Sequence, residues 1–330
     1  MLLGSATLVG CLAGATAGGP DGATLPKPDR EPGDPTMIRS PEPLAASDAV
    51  VVVTWNVHVG GGDVLGMVEA VRGGAFTGGA PADAFAILLQ EAHRAGPDVL
   101  RPGPDHDGTT LHFAPPGGDR IDIVEVADRT GLHLAYAPAE ANGRPRPDAP
   151  EEDRGVAILS SHPLRDVEVI ELPRERQRRV ALVATMDGVR PDGSSWQLRL
   201  ASAHLENRAP WYRILDSFGS VRIRQARALV EALGDGSVVL GADLNTWAPA
   251  AFEPALEVVG RHFDGSPRVA GGTYRALGVT RPLDHLLFRL DDRHRARAEI
   301  VADRFGSDHA PVVGVVELGR PAEAVSAEPR

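Results

Sequence analysis

Short runs of Val, Ile and Leu, each about six residues long and separated by turn residues, recur from residue 49 to residue 318. Runs of this length and composition are typical of buried β-strands. Fewer segments show the apolar spacing that is typical of helices. Strands are predicted at 49–57, 84–90, 132–137, 155–161, 166–172, 179–186, 196–204, 237–242, 283–290, 297–302 and 311–318, and helices at 64–72, 119–130, 219–233 and 249–259.

Many strands with helices between only some of them indicate an α/β fold in which sheets stack and helices cover the outside. We therefore predict a four-layer α/β sandwich, with two packed, mainly antiparallel β-sheets flanked by helices. This folded domain is expected to span residues 48–319. Within it, the Pro- and Gly-rich segment 96–118 and the polar segment 139–153 are predicted to be surface loops.

The two ends of the chain differ from this domain in composition. Residues 1–18 are small and apolar and resemble a bacterial export signal, and the stretch Leu-Val-Gly-Cys within them resembles a lipobox, in which the cysteine, here Cys11, is lipidated. Residues 19–47 are rich in Pro, Gly and acidic residues and are predicted to be a disordered linker, and 320–330 a disordered tail. We expect an exported bacterial protein, secreted or anchored to the cell membrane through Cys11. The alternative is an apolar tail with an incidental cysteine.

Charge and cysteine content narrow the range of functions. The net charge of −11 means that a polyanionic partner would have to be held by a local basic patch or by metal ions. Cys11 is the only cysteine, which excludes an intramolecular disulfide and a cysteine-based zinc cluster. Arginines cluster at 174–179, where we expect a solvated hairpin end rather than a grip on phosphate.

Polar residues stand where six of the apolar runs end or begin. Each has an ordinary explanation when it is taken alone, such as a turn, a helix cap or a satisfied core histidine. Taken together, they are the residue types that bind hard cations and transfer protons, and all could converge on one rim of a double sheet. The six groups are Asn56; Gln90 and Glu91; His204; Asp243 and Asn245; Asp284; and Ser307, Asp308 and His309.

The order of these motifs resembles the endonuclease/exonuclease/phosphatase superfamily, which has the DNase I-like fold. The motifs read TWN, LLQE, GVAILS, SAHLE, GADLN, LDHLLF and SDHAPV, and the similarity extends from about residue 49 to residue 318. Each motif is short, so the specificity lies in their number, order and spacing.

The resemblance implies a site for one or more divalent cations. It assigns metal binding to Glu91, with Asn56 and Asp308 completing a set of oxygen ligands. Oxygen ligands without thiolates suit Mg²⁺ or Mn²⁺.

The resemblance also implies the catalytic roles of five residues. Asp243 would position the attacking water, and Asn245 and His204 would donate hydrogen bonds to the extra charge on phosphorus. His309 would act as a base or as a phosphate ligand, and Asp284 would fix its tautomer. Phosphoryl transfer depends mainly on positioning and charge neutralisation, which such a set of residues can supply.

The substrate is expected to be a phosphate ester, namely a nucleic acid, a lipid headgroup or an inositol phosphate. Trp247 and Arg275 are expected to contact it, and a phosphodiesterase is the favoured activity. The alternatives are a phosphomonoesterase that acts on a phosphorylated polyol and an inactive binding module of the same fold. Tyr136, the only candidate for a phosphate-contacting tyrosine of the nuclease branch, does not stand in a matching motif, so no subfamily follows. No obligate protein partner is evident.

Overall fold

A computed structural model of the chain describes most of the predicted domain. The predicted export segment 1–18 with Cys11 and the tail 320–330 lie outside the described residues. Within the described part, no helix is both long and apolar enough to cross a membrane. The described residues are 34–40, 45–101, 120–144, 147–174, 177–207, 220–247, 253–267, 269–276 and 279–319.

Strands dominate this part of the chain. The strands are β1 (Thr36–Ile38), β2 (Ala49–Asn56), β3 (Phe85–Ala95), β4 (His133–Gly143), β5 (Glu152–Ser160), β6 (Leu164–Glu171), β7 (Val180–Val189), β8 (Ser195–His204), β9 (Val238–Asp243), β10 (Tyr274–Ala276), β11 (Val279–Arg281), β12 (Asp284–Arg289), β13 (Arg295–Ile300) and β14 (Val312–Glu317). The helices are α1 (Val64–Arg72), α2 (Ile123–Thr130), α3 (Ser220–Leu233) and α4 (Pro254–His262).

The strands form two large sheets and one small hairpin. The first sheet has seven strands in the order β1-β4-β5-β3-β2-β14-β13, and the second has five in the order β12-β9-β8-β7-β6. Neighbours are antiparallel except for β2 with β3 and β8 with β9, which are parallel. The predicted fold class, two mainly antiparallel sheets flanked by helices, is confirmed.

Alternating side chains of the buried strands divide the core into layers. In β2, Val50 and Val52 face the second sheet, whereas Val51, Val53 and Trp55 pack with apolar residues of α1 and α2. A third apolar cluster joins the outer face of the second sheet to α3 and α4. This alternation explains why β2 has no polar face in its sequence, because both of its sides are covered.

The two sheets approach each other closely beneath the rim that carries the polar residues. A Cβ atom at Gly241 of β9 would lie 2.6 Å from Oγ1 of Thr54 and 2.8 Å from Cδ1 of Leu88. Thr54 and Leu88 belong to the first sheet and are fully buried. A glycine is therefore required at this position by the distance between the sheets.

Two expectations about the chain outside the main strands are wrong. Residues 36–38 of the predicted linker form strand β1, which pairs with β4, and the hydroxyl of Thr36 accepts a hydrogen bond of 2.7 Å from Arg94. The segment 139–153, predicted to be a loop, is strand at both of its ends, because β4 runs to Gly143 and β5 begins at Glu152.

Buried ion pairs explain why the polar ends of β4 and β5 remain in the sheet. Arg94 donates to both carboxylate oxygens of Asp153, at 3.2 and 2.6 Å, and Arg154 pairs with Glu140. All four side chains are buried. Polarity alone predicts a surface loop here, but the pairing of opposite charges across the sheet offsets the cost of burial.

Candidate active site

The polar residues singled out in the sequence meet at one rim of the two sheets. In the first sheet, β2 ends beside the parallel strand β3, with Asn56 opposite Gln90, where the bulge of β3 begins. In the second sheet, the parallel strands β8 and β9 bring His204 opposite Asp243, and Asp284 of β12 lies opposite Asp243 on its other side. Parallel strands place their carboxyl ends at the same edge, which explains the convergence.

Two direct contacts join the rims of the two sheets. The side-chain amide of Asn56 donates a hydrogen bond of 2.9 Å to Oδ2 of Asp243. Nδ1 of His309 lies 2.7 Å from Oδ2 of Asp284. The indole of Trp55 donates to the carbonyl oxygen of His309 at 3.1 Å, which fixes the segment that precedes β14. Residues distant in the sequence therefore form one site.

Glu91 lies at a β-bulge, where the register of β3 with β5 shifts between Leu89 and Ala92. Its φ is 55°, and its Oε2 accepts a hydrogen bond of 3.1 Å from the backbone N–H of Val59. A bulge turns a side chain away from the regular alternation of a strand, and here it directs Glu91 to the rim. His58 and Val59 also have positive φ angles, of 49° and 54°. Such angles are rare for a β-branched residue, and strained backbone of this kind clusters at functional sites.

Asp243 is a buried carboxylate in an unusual electrostatic environment. Burial raises its pKa to about 7, with a further contribution from the charge of Asp284, while His309 and the hydrogen bond from Asn56 oppose the shift. The backbone N–H of Asn245 donates to Oδ1 of Asp243 at 2.9 Å. The carboxylate is thus held at both oxygens.

His309 is held in a fixed orientation by a carboxylate. Burial lowers its pKa, but the charge and hydrogen bond of Asp284, together with Asp243 and Asp308, outweigh this and raise it to about 10. Since Nδ1 is bound to Asp284, Nε2 is the free edge of the ring, and it lies 3.9 Å from Oδ1 of Asp308. The ring therefore presents a positively charged N–H to the rim.

His204 and Asn245 lie next to Asp243. Nε2 of His204 is 3.4 Å from Oδ2 of Asp243 and 2.9 Å from Nδ2 of Asn245. Burial lowers the pKa of His204 well below its usual value, and the charges of Arg179 and Arg154 lower it further. His204 is therefore neutral, in contrast to His309.

Arg179 is a site residue that the sequence interpretation missed. The arginine cluster 174–179 predicts a solvated hairpin end, but only 3% of Arg179 is exposed, and its Nη1 lies 3.1 Å from Nδ1 of His204. It also forms ion pairs with Glu140 at 3.5 Å and Glu206 at 3.9 Å. The available signal was its position directly before the apolar strand β7.

The donor groups at the rim fit a hard divalent cation. One ligand atom from each of Asp243, Asp284 and His309 lies within 4.8 Å of the others, whereas the ligands predicted from the sequence are Asn56, Glu91 and Asp308. Burial raises the pKa of Tyr274, and the charges of Asp308, Asp243 and Glu91 raise it further, so these three carboxylates all lie near one phenol. Clustered carboxylates repel one another unless a cation compensates them.

Buried oxygens without hydrogen bonds also indicate that the rim binds a cation. Among the described residues, Oδ1 of Asp308 and Oδ1 of Asp284 are buried and take part in no hydrogen bond. Buried acceptors of this kind require a partner. The predicted ligands Glu91, Asn56 and Asp308 supply only oxygen donors, which suits Mg²⁺ or Mn²⁺. Oδ1 of Asn56 also accepts a hydrogen bond of 3.0 Å from the backbone N–H of His58, which orients the amide.

Aromatic rings lead from the solvent to His309. Trp247 is 39% exposed, and its ring meets the ring of Tyr274 edge to face, with centroids 5.1 Å apart. The ring of Tyr274 lies 4.7 Å from that of His309. The sequence interpretation named Trp247 but missed Tyr274, whose short strand β10 carries no recognisable apolar run. Arg275 of the same strand is exposed and, within the described part of the chain, forms no hydrogen bond or ion pair with the site.

Tyr136 is excluded as a substrate contact. It is fully buried in the core, and its hydroxyl donates a hydrogen bond of 2.7 Å to Asp153. A phosphate could not reach this hydroxyl without disruption of the first sheet.

The sandwich of two sheets with a polar rim is the DNase I-like fold. The Endonuclease/Exonuclease/phosphatase family matches residues 53–309, more than half of the chain, and the protein belongs to this family. Its members are hydrolases that act on phosphoesters. No curated protein matches the chain.

Several solved structures are similar to this one. They include ANGEL2, a 2′,3′-cyclic phosphatase, with 12% identity and a TM-score of 0.47, over 86% of this chain and 97% of that chain. Truncated TDP2 from Caenorhabditis elegans has 15% identity and a TM-score of 0.43, over 82% and 97% of the two chains. Beta toxin from Staphylococcus aureus, with bound magnesium ions, has 13% identity and a TM-score of 0.44, over 81% and 99%.

Proposed function

We propose that the protein is a metal-dependent phosphodiesterase that uses in-line attack by an activated water. The observation that carries the proposal is the pair of contacts across the rim, Asn56 with Asp243 at 2.9 Å and His309 with Asp284 at 2.7 Å. These contacts gather carboxylate, amide and imidazole groups of both sheets around one point. Such a set matches the needs of phosphoryl transfer, which are positioning and charge neutralisation.

Glu91, Asn56 and Asp308 would hold Mg²⁺ or Mn²⁺. When bound, the cation would act as a Lewis acid that polarises a phosphoryl oxygen and offsets the charge of the leaving group. The residues fit this role because they are oxygen donors at one rim and because Oδ1 of Asp308 takes part in no hydrogen bond among the described residues.

Asp243 would accept a hydrogen bond from the attacking water and take its proton. Its pKa of about 7 suits a base that works near neutral pH. Asn56 and the backbone of Asn245 fix its two oxygens, so that its geometry is set before the substrate arrives. His309, whose pKa is raised to about 10, would stay protonated and donate from Nε2 to a phosphoryl oxygen. This favours the phosphate-ligand role of His309 over the base role.

The charge balance of the rim favours a diester over a monoester. Three carboxylates, those of Asp243, Asp284 and Asp308, lie around the imidazole of His309, and a fourth, that of Glu91, lies near the adjacent ring of Tyr274. The guanidinium of Arg179, which contacts His204, is already paired with buried carboxylates. A monoester near neutral pH carries up to two charges, whereas a diester carries one, so the diester meets less repulsion. The exposed ring of Trp247 would stack on a base, a sugar or an inositol ring of a nucleic acid, lipid headgroup or inositol phosphate.

A substrate screen with matched variants tests the activity. The full chain would be assayed on plasmid DNA, bis-nitrophenyl phosphate, sphingomyelin and inositol phosphates, with Mg²⁺, with Mn²⁺ and with EDTA. We expect hydrolysis that EDTA abolishes and that Asp243→Asn or His309→Ala lowers by about 10²–10³-fold without unfolding the domain. Asp128→Asn, on an exposed position of α2, is the control and should keep full activity.

Two results would redirect the proposal. Release of inorganic phosphate from inositol phosphates, with no cleavage of any diester, would favour the phosphomonoesterase. No EDTA-sensitive product from any substrate would favour a binding module of the same fold.

We also propose that the chain is exported and held at the membrane through Cys11. Support comes from the sequence alone, since the small apolar segment 1–18 contains the lipobox-like Leu-Val-Gly-Cys. A linker after it would let the catalytic domain reach substrates near the membrane surface. Radiolabelled palmitate should be incorporated into the wild type but not into Cys11→Ala. Equal labelling of both, or of neither, would exclude this anchor.

A further inference from the structure

The contact between Arg179 and His204 constrains the protonation of the histidine ring. Nη1 of Arg179 lies 3.1 Å from Nδ1 of His204, and both side chains are buried. A guanidinium group only donates hydrogen bonds and does not lose its proton in proteins. Nδ1 of His204 must therefore accept, which requires that it carry no proton.

The other edge of the ring faces the reaction centre. Nε2 lies 3.4 Å from Oδ2 of Asp243, an acceptor, and 2.9 Å from Nδ2 of Asn245, a donor. A proton on Nε2 would face the carboxylate at 3.4 Å without forming a hydrogen bond to it, and the amide of Asn245 would keep the carbonyl oxygen of Leu205 as its acceptor, at 3.0 Å.

The opposite tautomer is disfavoured on both sides of the ring. A proton on Nδ1 would face the N–H of Arg179, and the lone pair of Nε2 would face the carboxylate of Asp243. The only hydrogen bond that the opposite tautomer would add is a neutral one, from the amide of Asn245 to Nε2. The hydrogen bond from the guanidinium is charge-assisted, and such bonds are roughly twice as strong as neutral ones, so Arg179 decides the tautomer.

Buried carboxylates hold Arg179 in place. Its guanidinium forms ion pairs with Glu140 of β4 and with Glu206, which follows β8, and its Nη2 donates to Oε1 of Gln177 at 2.8 Å. Glu206 in turn accepts from the backbone N–H of Gln177 at 2.8 Å. The guanidinium is thus fixed by both sheets and cannot turn away from His204.

We propose that Arg179 is a positioning residue that locks His204 in the neutral tautomer with its proton on Nε2. His204 then donates a hydrogen bond from Nε2 to a phosphoryl oxygen of the substrate, and no proton is transferred. The donor role rests on the proposed function, whereas the tautomer does not. The two histidines of the rim therefore act differently: His309 is cationic and oriented by Asp284, and His204 is neutral and oriented by a cation.

Two-bond ¹H–¹⁵N correlation spectra of the full chain with labelled histidine test the tautomer directly, because a protonated and an unprotonated ring nitrogen give distinct signals. His204 would be assigned by its loss in His204→Gln. We expect Nε2 to be protonated and Nδ1 unprotonated in the wild type. In Arg179→Met, the proton should move to Nδ1 or exchange between the two nitrogens. In Arg179→Lys, which keeps a cationic donor, the wild-type tautomer should be retained.

The neighbouring Arg178 offers a matched control, since it contacts Glu171 and the carbonyl oxygen of Pro138 instead of the site. Arg178→Met should leave the His204 signals unchanged. A wild-type ring protonated at Nδ1, or an Arg179→Met ring identical to the wild type, would overturn the proposal. If Arg179→Met does not fold, the wild-type and Arg179→Lys spectra still show which ring nitrogen of His204 carries the proton.

Kinetics separate the two proposals. If the chain is a phosphodiesterase, Arg179→Met should lower kcat by about 10²-fold or more with little change in KM, as the loss of a preorganised donor does. Unchanged kcat would overturn the positioning role. A chain without phosphoesterase activity but with the expected tautomer would refute the proposed function and leave the arrangement of Arg179 and His204 intact.

Discussion

Gly241→Ala tests how closely the two sheets approach beneath the site. The added Cβ would lie 2.6 Å from Oγ1 of Thr54 and 2.8 Å from Cδ1 of Leu88, both shorter than any ordinary contact. Neither neighbour can turn into solvent, because both are fully buried. The sheets must therefore separate locally, or the two side chains must leave their preferred rotamers.

The expected cost follows from measured effects of overpacking. Insertion of one carbon into a well-packed core costs about 1–3 kcal/mol. For a domain of roughly this size, each kcal/mol lowers Tm by about 2–4 °C, so we expect a fall of roughly 2–12 °C. Gly241 lies two residues before Asp243, and Thr54 lies two residues before Asn56. A separation at this point would therefore also lengthen the 2.9 Å contact between Asn56 and Asp243 and lower activity.

Denaturant unfolding and calorimetry would measure the free energy of unfolding and Tm. Gly260→Ala is a matched control, since Gly260 lies in α4 and no atom would approach its Cβ within 4 Å. That substitution should stabilise the domain by about 0.5–1 kcal/mol, because alanine is the better helix former. A Gly241→Ala variant as stable as the wild type, with Gly260→Ala behaving as expected, would refute the close approach of the sheets.

Two further predictions concern the buried charges and the aromatic rim. Asp153→Asn leaves Arg94 buried without a counter-charge, so denaturant unfolding should show a free energy of unfolding lower by about 3–5 kcal/mol. The control Glu125→Gln removes a charge from an exposed pair with Arg129 and should change the free energy of unfolding by less than about 0.5 kcal/mol. Equal effects of the two substitutions would contradict the buried pair. Trp247→Ala should raise KM by about 10–100-fold, because stacking on a substrate ring is lost, and it should leave kcat and Tm nearly unchanged. An unchanged KM for every substrate would show that Trp247 does not bind substrate.

Periodicity and turn chemistry were sufficient to predict the strands and helices that build the core. The apolar runs of β2, β3 and β9 are long, and both of their faces are buried, so the pattern alone identifies them. The polar residues at their ends were also identified, because a charged side chain directly after a buried strand requires contact with solvent and is therefore expected at the edge of the sheet. Their positions in the sequence were sufficient to predict that Asn56, Glu91 and Asp243 belong to the site.

Features that depend on contacts between distant segments could not be predicted in the same way. Strand β1 has three residues and exists only because it pairs with β4. Arg179 stands in a run of arginines that reads as a solvated turn, and its burial depends on Glu140 and Glu206, which are far away in the sequence. Tyr274 reaches His309 through a backbone bridge between their two segments, which no local pattern indicates.

We propose that distant acidic, amide and imidazole groups surround one divalent cation at the rim of the two sheets. Anomalous diffraction from crystals of the full chain grown with Mn²⁺ would locate this cation. We expect a manganese peak within coordination distance of the Glu91 carboxylate, on the side that faces Asp308 and Asp243, and no such peak in Glu91→Gln. A manganese peak away from this rim, or a peak that persists unchanged in Glu91→Gln, would contradict it.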